Sequence, residues 1–164
     1  MTHYMELLAS NQPWNLIIFM AIPVILAETI AISELYLLYT RNFSNKVKTI
    51  SKWSGILAGL YFLGIFLFLF TTVFIPLTLQ GGWRGFADVI AVSFYLLGVF
   101  PLMGIALTEM GIINKNKNSE EKLKSHAIFV AIFLVVAHVA MIFGMVNPSI
   151  FSNSANAEVK MEMH

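Results

Sequence analysis

Between Trp14 and Val146 polar residues interrupt the chain only three times, and that spacing constrains the fold more than any motif does. The apolar stretches run 14–40, 52–79, 86–113 and 126–146. A helix needs about 20 mainly apolar residues to cross a bilayer. Inside lipid, a helix satisfies its backbone hydrogen bonds within its own segment. Four spanning helices are therefore expected. With 58% of its 164 residues hydrophobic and 12% charged, the chain carries more apolar surface than a soluble domain of this size can bury. The expected fold is an all-α integral membrane protein, with one four-transmembrane-helix bundle over residues 1–148. The polar tail over 149–164 has no apolar period and is expected to be flexible.

Charge sets the expected topology. Of the ten Lys and Arg residues, eight lie in the first and third connections: Arg41, Lys46, Lys48, Lys52, Lys115, Lys117, Lys122 and Lys124. The positive-inside rule places those connections in the cytoplasm and both termini on the non-cytoplasmic side of the cytoplasmic (inner) membrane. Trp14 and Trp83 then fall at the outer interface and Trp53 at the inner one. Gly81-Gly82 reads as the turn of the second connection. No cleavable signal is expected, because the first 13 residues lack Lys and Arg and the first apolar run is too long for a signal core.

The first and third spans share a local pattern. Ala31-Ile-Ser-Glu34-Leu aligns with Ala106-Leu-Thr-Glu109-Met at an offset of 75 residues. The following spans continue it at an offset of 72, with Lys52-Trp-Ser-Gly over Lys124-Ser-His-Ala. This reads as two tandem helical hairpins in parallel orientation, related by an axis along the membrane normal. The alternative is chance similarity within a small apolar alphabet.

Ionisable residues inside the spans are the candidate functional groups, because a charge in hydrocarbon costs a few kcal/mol or more and normally finds a partner. Glu34 and Glu109 lie roughly 10 and 9 Å inside the cytoplasmic boundary at about 1.5 Å per residue. Glu28 and His138 lie deeper, at roughly 20 and 21 Å. Glu34 is expected to meet Glu109, and Glu28 to face His138. His126 is expected close to the cytoplasmic surface, and Asp88 to pair with Arg84. The four deep groups form a candidate proton or cation site. The alternative is interhelical hydrogen bonding to Ser33, Thr108, Thr29 or backbone. His138, Met141 and Met145 share one helix face and offer a soft donor set for copper or haem b, with His126 as a further candidate ligand. Met161, Met163 and His164 in the tail form a second possible copper set. The absence of cysteine excludes thiolate sites. No phosphate-binding glycine loop is present, and a net charge of +1 does not call for nucleic acid. An enzymatic role is not expected.

Residues 11–35, NQPWNLIIFMAIPVILAETIAISEL, resemble the start of a family of small bacterial four-span membrane proteins described as permeases, without an established function. The resemblance implies the architecture and carries no catalytic residues. Three functions are compatible with this reading. The first is a small permease moving protons, cations or a small solute. The second is a redox or metal-binding membrane subunit with haem b or copper. The third is a non-catalytic subunit or assembly factor. The expected partners are the lipid bilayer and either further copies of the chain or a partner membrane subunit.

Overall fold

The structure, a computed structural model, describes residues 2–41, 46–114 and 116–147. A short helix, α1 (His3–Ala9), precedes α2 (Trp14–Thr40), α3 (Lys46–Gln80), α4 (Phe86–Glu109) and α5 (Ser119–Met145). Among the described residues, α2 to α5 are the helices long and apolar enough to cross a membrane. The tail assigned flexibility from sequence, with its Met161, Met163 and His164, lies outside the described residues, as does Lys115.

Two helices start earlier than the apolar stretches do. α3 begins at Lys46 rather than Lys52, and α5 at Ser119 rather than His126. The cause is explicit in α5. Asn118 and Glu121 form a reciprocal capping box, with the Asn118 backbone N–H donating to the Glu121 carboxylate at 3.2 Å. The helix is thus set by its cap, and its first two turns are polar. α4 ends at Glu109, four residues before the apolar stretch does, and Gly111 follows at φ +75°.

Each span proline sits beside a local departure from α geometry. In α2 a π-helical turn over Ile17–Ala21 precedes Pro23, and in α3 another over Phe70–Phe74 precedes Pro76. Proline lacks an N–H and its ring crowds the carbonyl four residues back, so a widened turn relieves both. In α4 the regular helix breaks at Gly98, three residues before Pro101.

The helices form a bundle in which α3 packs against α2 and α4, and α4 against α5. Small residues permit the closest seam. A Cβ on Gly59 would overlap Ala106 Cβ and stand 2.8 Å from the Leu102 carbonyl oxygen, and one on Gly55 would stand 2.8 Å from Ile105. Gly55 and Gly59 are spaced as in the small-xxx-small contacts of membrane helices. Ile30, Phe62, Leu102, Ile105, Val130 and Phe133 fill the centre. The outward faces are also apolar, with Ile32, Leu35, Trp53, Leu57, Ile128 and Val135 exposed, as suits helices surrounded by lipid.

Two ends can be told apart. At one, Lys48 Nζ reaches Ser119 Oγ at 3.4 Å, so the basic connections meet. At the other, α1 lies over the bundle. Thr2 Oγ1 donates to the Gly144 carbonyl at 2.7 Å, which brings the two ends of the described chain together. The His3 backbone N–H and ring Nδ1 both engage the buried Asp88 carboxylate. Asp88 accepts from the Arg84 backbone N–H at 3.3 Å, while the Arg84 guanidinium pairs with Glu6 at 2.7 Å. Asp88 lies in the first turn of α4, where a carboxylate is favoured by the helix dipole and faces backbone N–H groups.

Candidate ion site

Three ionisable side chains from three helices converge near the basic end. Glu34 (α2) and His126 (α5) are almost fully buried, at 3% and 2% side-chain exposure. His126 Nδ1 lies 2.7 Å from Glu34 Oε1 and 3.5 Å from Glu109 Oε1 on α4. Ser51 of α3 donates to the same Glu34 oxygen at 3.4 Å. Since Glu34 Oε1 accepts from Ser51, the simplest assignment has the His126 Nδ1–H donating to it as well. That tautomer leaves Nε2 with its lone pair.

Each residue is held in place by a local cause. Gly55 of α3 lies beside the Glu109 side chain, whose Cγ would be in ordinary van der Waals contact, 3.6 Å, with a Cβ there. Glu109 is the last residue of α4, where a negative charge opposes the helix dipole, so a hydrogen-bond donor nearby is needed to hold it. The hydroxyls expected to partner the glutamates are engaged elsewhere. Ser33 donates to Thr29 and Ile30 carbonyls, Thr29 to Ile25 and Thr108 to Gly104, each on its own helix. The interhelical hydroxyl bond to Glu34 comes instead from Ser51 of α3.

Two atoms of the centre, Glu34 Oε2 and His126 Nε2, are buried with no hydrogen-bond partner among the described residues. Buried polar atoms are normally satisfied, and an unmet pair costs stability. The arrangement can take up a proton at Nε2, which would put an imidazolium beside two carboxylates. Glu109 is 21% exposed and links the centre to the surface. Among the described residues no group of three His, Asp or Glu side chains has the arrangement of a metal site.

Glu28 and His138 occupy a different place. Both line a cleft of about 210 Å³ between α2 and α5, with Tyr4, Phe62, Tyr95 and Phe133 among its walls. Both are exposed in the isolated chain. His138 Nδ1 donates to the Leu134 carbonyl one turn back. Met141 lines the same cleft, but Met145 does not and is 67% exposed, so the expected His–Met face is divided.

Sequence spacing did not bring His126 to the two glutamates, whereas the structure does. Counted from Lys124 it lies at the surface, yet it is seven residues after Ser119, roughly 10 Å into the helix. That matches the depth of the two glutamates. The signal that locates it is the Asn118-x-x-Glu121 cap, read as a helix start.

A helical bundle with four membrane-length helices, in which a buried imidazole meets one buried and one half-buried carboxylate, defines the class. The chain belongs to the Family of unknown function (DUF6803), which it matches over residues 1–160. No curated protein and no solved structure matches it.

Proposed function

We propose that the protein is a small permease-type protein of the cytoplasmic membrane that binds and releases a proton or cation at Glu34, His126 and Glu109. The observation that carries this reading is the convergence of two carboxylates on one buried imidazole whose second nitrogen is unmet. Packing alone does not require such a group, and its charge is costly in lipid. The two glutamates occupy matched positions of the AISE and ALTE segments, which supports two hairpins related by an axis along the membrane normal. Lys and Arg gather at the end nearest the centre, which supports a cytoplasmic position for that end and both termini outside. Proton exchange then runs from the cytoplasm through Glu109 to His126 and Glu34.

The redox alternative has weaker support, because His126 is engaged by carboxylates and the donors around His138 are divided between cleft and surface. The test is reconstitution in liposomes that enclose a pH-sensitive dye. An imposed pH gradient should collapse faster with the wild-type protein than in protein-free vesicles. His126→Gln and Glu34→Gln should slow that collapse at least tenfold while retaining a folded, monodisperse protein. Wild-type flux no faster than in empty vesicles, or flux indifferent to both substitutions, would refute the proposal.

A further inference from the structure

We infer that the cleft between α2 and α5 is a binding site for a protonated, hydrophobic amine. This goes beyond the ion site at Glu34 and does not depend on it, since the two share no residue.

Four features of the cleft select that ligand class. Its volume of about 210 Å³ suits a small organic molecule rather than a bare ion. Its walls carry the rings of Tyr4, Phe19, Phe62, Phe94, Tyr95 and Phe133, whose electron-rich faces attract a cation and whose area attracts an apolar body. Its one carboxylate, Glu28, makes no hydrogen bond or ion pair among the described residues. It stands 14 residues from one end of α2 and 12 from the other, roughly 20 Å from each boundary at the helix rise. A carboxylate at that depth calls for a partner charge. The fourth feature is His138. Its Nδ1–H is committed to the Leu134 carbonyl, so the neutral ring presents Nε2 as an acceptor.

Glu28 and His138 thus offer acceptors, a carboxylate oxygen and an imidazole nitrogen, while the Tyr95 hydroxyl is committed to the Phe19 carbonyl. A ligand that satisfies both supplies N–H donors and a positive charge. A primary or secondary ammonium does so, whereas a quaternary ammonium lacks the donor and an anion meets Glu28 with repulsion. The flat apolar remainder of the ligand packs among the rings. The seam between α2 and α5 gives entry from the bilayer, where such amines partition.

The experiment is equilibrium binding of 1-naphthylmethylamine to the full chain in detergent, read by fluorescence anisotropy, with 1-naphthylmethanol as the neutral isostere. The amine should bind saturably, at least tenfold more tightly than the alcohol. Glu28→Gln should remove that preference, and Ala137→Phe, which fills the cleft, should abolish binding of both. Light scattering on the same samples reports the oligomeric state. The inference is overturned if the amine does not saturate, if amine and alcohol bind equally, or if Glu28→Gln leaves the preference intact. It is also overturned if the protein is a dimer that binds no amine and Glu28→Gln makes it monomeric, since a second copy then covers the cleft.

Discussion

At His126 one ring nitrogen faces two carboxylate oxygens, at 2.7 and 3.5 Å, so deleting the ring leaves two acidic side chains without their common donor. Breaking a buried pair from one side costs about 3–5 kcal/mol, whereas replacing both partners with apolar groups is often close to neutral. His126→Leu and Glu34→Leu should each destabilise the protein by roughly that amount in denaturant unfolding from detergent. The double variant should recover about 0.5–3 kcal/mol relative to the sum of the two, the coupling expected of residues in contact. Strict additivity would show that the contact contributes nothing. Tyr4 gives a second test at this scale. Burial of its ring where α1 docks on the bundle pushes its phenol up to about 12 from the ordinary 10. A group whose pKa is raised on folding contributes stability that is complete below the unfolded value and is lost as pH rises through the folded one. Docking of α1 should therefore weaken between pH 10 and about 12. Tyr4→Phe keeps the ring against Tyr95 and should remove that alkaline step, measured as hydrogen exchange of residues 3–9.

At the scale of elements, the tightest seam lies between α3 and α4, where glycine lets the backbones approach. The obstacles to a Cβ at Gly59 are Ala106 Cβ and the Leu102 carbonyl, neither of which can swing aside. Gly59→Ala should cost about 1–3 kcal/mol, the usual penalty for overpacking. Gly64, on the same helix with nothing within 4 Å of a Cβ, is the control. Gly64→Ala should be neutral or stabilise by up to about 1 kcal/mol, since alanine favours helix. Equal effects at both sites in thermal unfolding would place the seam elsewhere. The same elements show what local pattern can and cannot convey. The four long helices follow directly from apolar run length, whereas Glu34 and Glu109, expected from spacing to meet each other, both contact His126 instead. α1 did not follow from run length, because a seven-residue helix carries too little period to be seen, and it is held by contacts to Asp88 and Gly144 far along the chain. His126 was not joined to the glutamates from sequence, because apolarity marks where lipid begins, not where a helix begins. Lys122 and Lys124 sit inside the first turns of α5 and can extend their charged ends to the membrane surface.

At the scale of the whole molecule, the position of the candidate ion site relative to the two aqueous phases decides which side would load it. The contacts of Lys48 with Ser119 and of Thr2 with Gly144 separate a basic end from an end capped by α1. If the basic end is cytoplasmic, the proposed exchange through Glu109 is with the cell interior and the α2–α5 cleft lies towards the outside, beneath α1. The chain has no cysteine, so single introduced thiols report orientation without background. Asn11→Cys and Gly82→Cys, both exposed at the capped end, should react with a membrane-impermeant maleimide in intact cells. Lys117→Cys and Ser119→Cys, exposed at the basic end, should react only after the membrane is permeabilised. The opposite pattern would invert the path, with the inner carboxylates loading from outside and the amine cleft opening towards the cytoplasm. Labelling of both pairs in intact cells would mean that the chain inserts in two orientations. A permease working as an antiparallel pair would then have to be considered in place of one with a single direction.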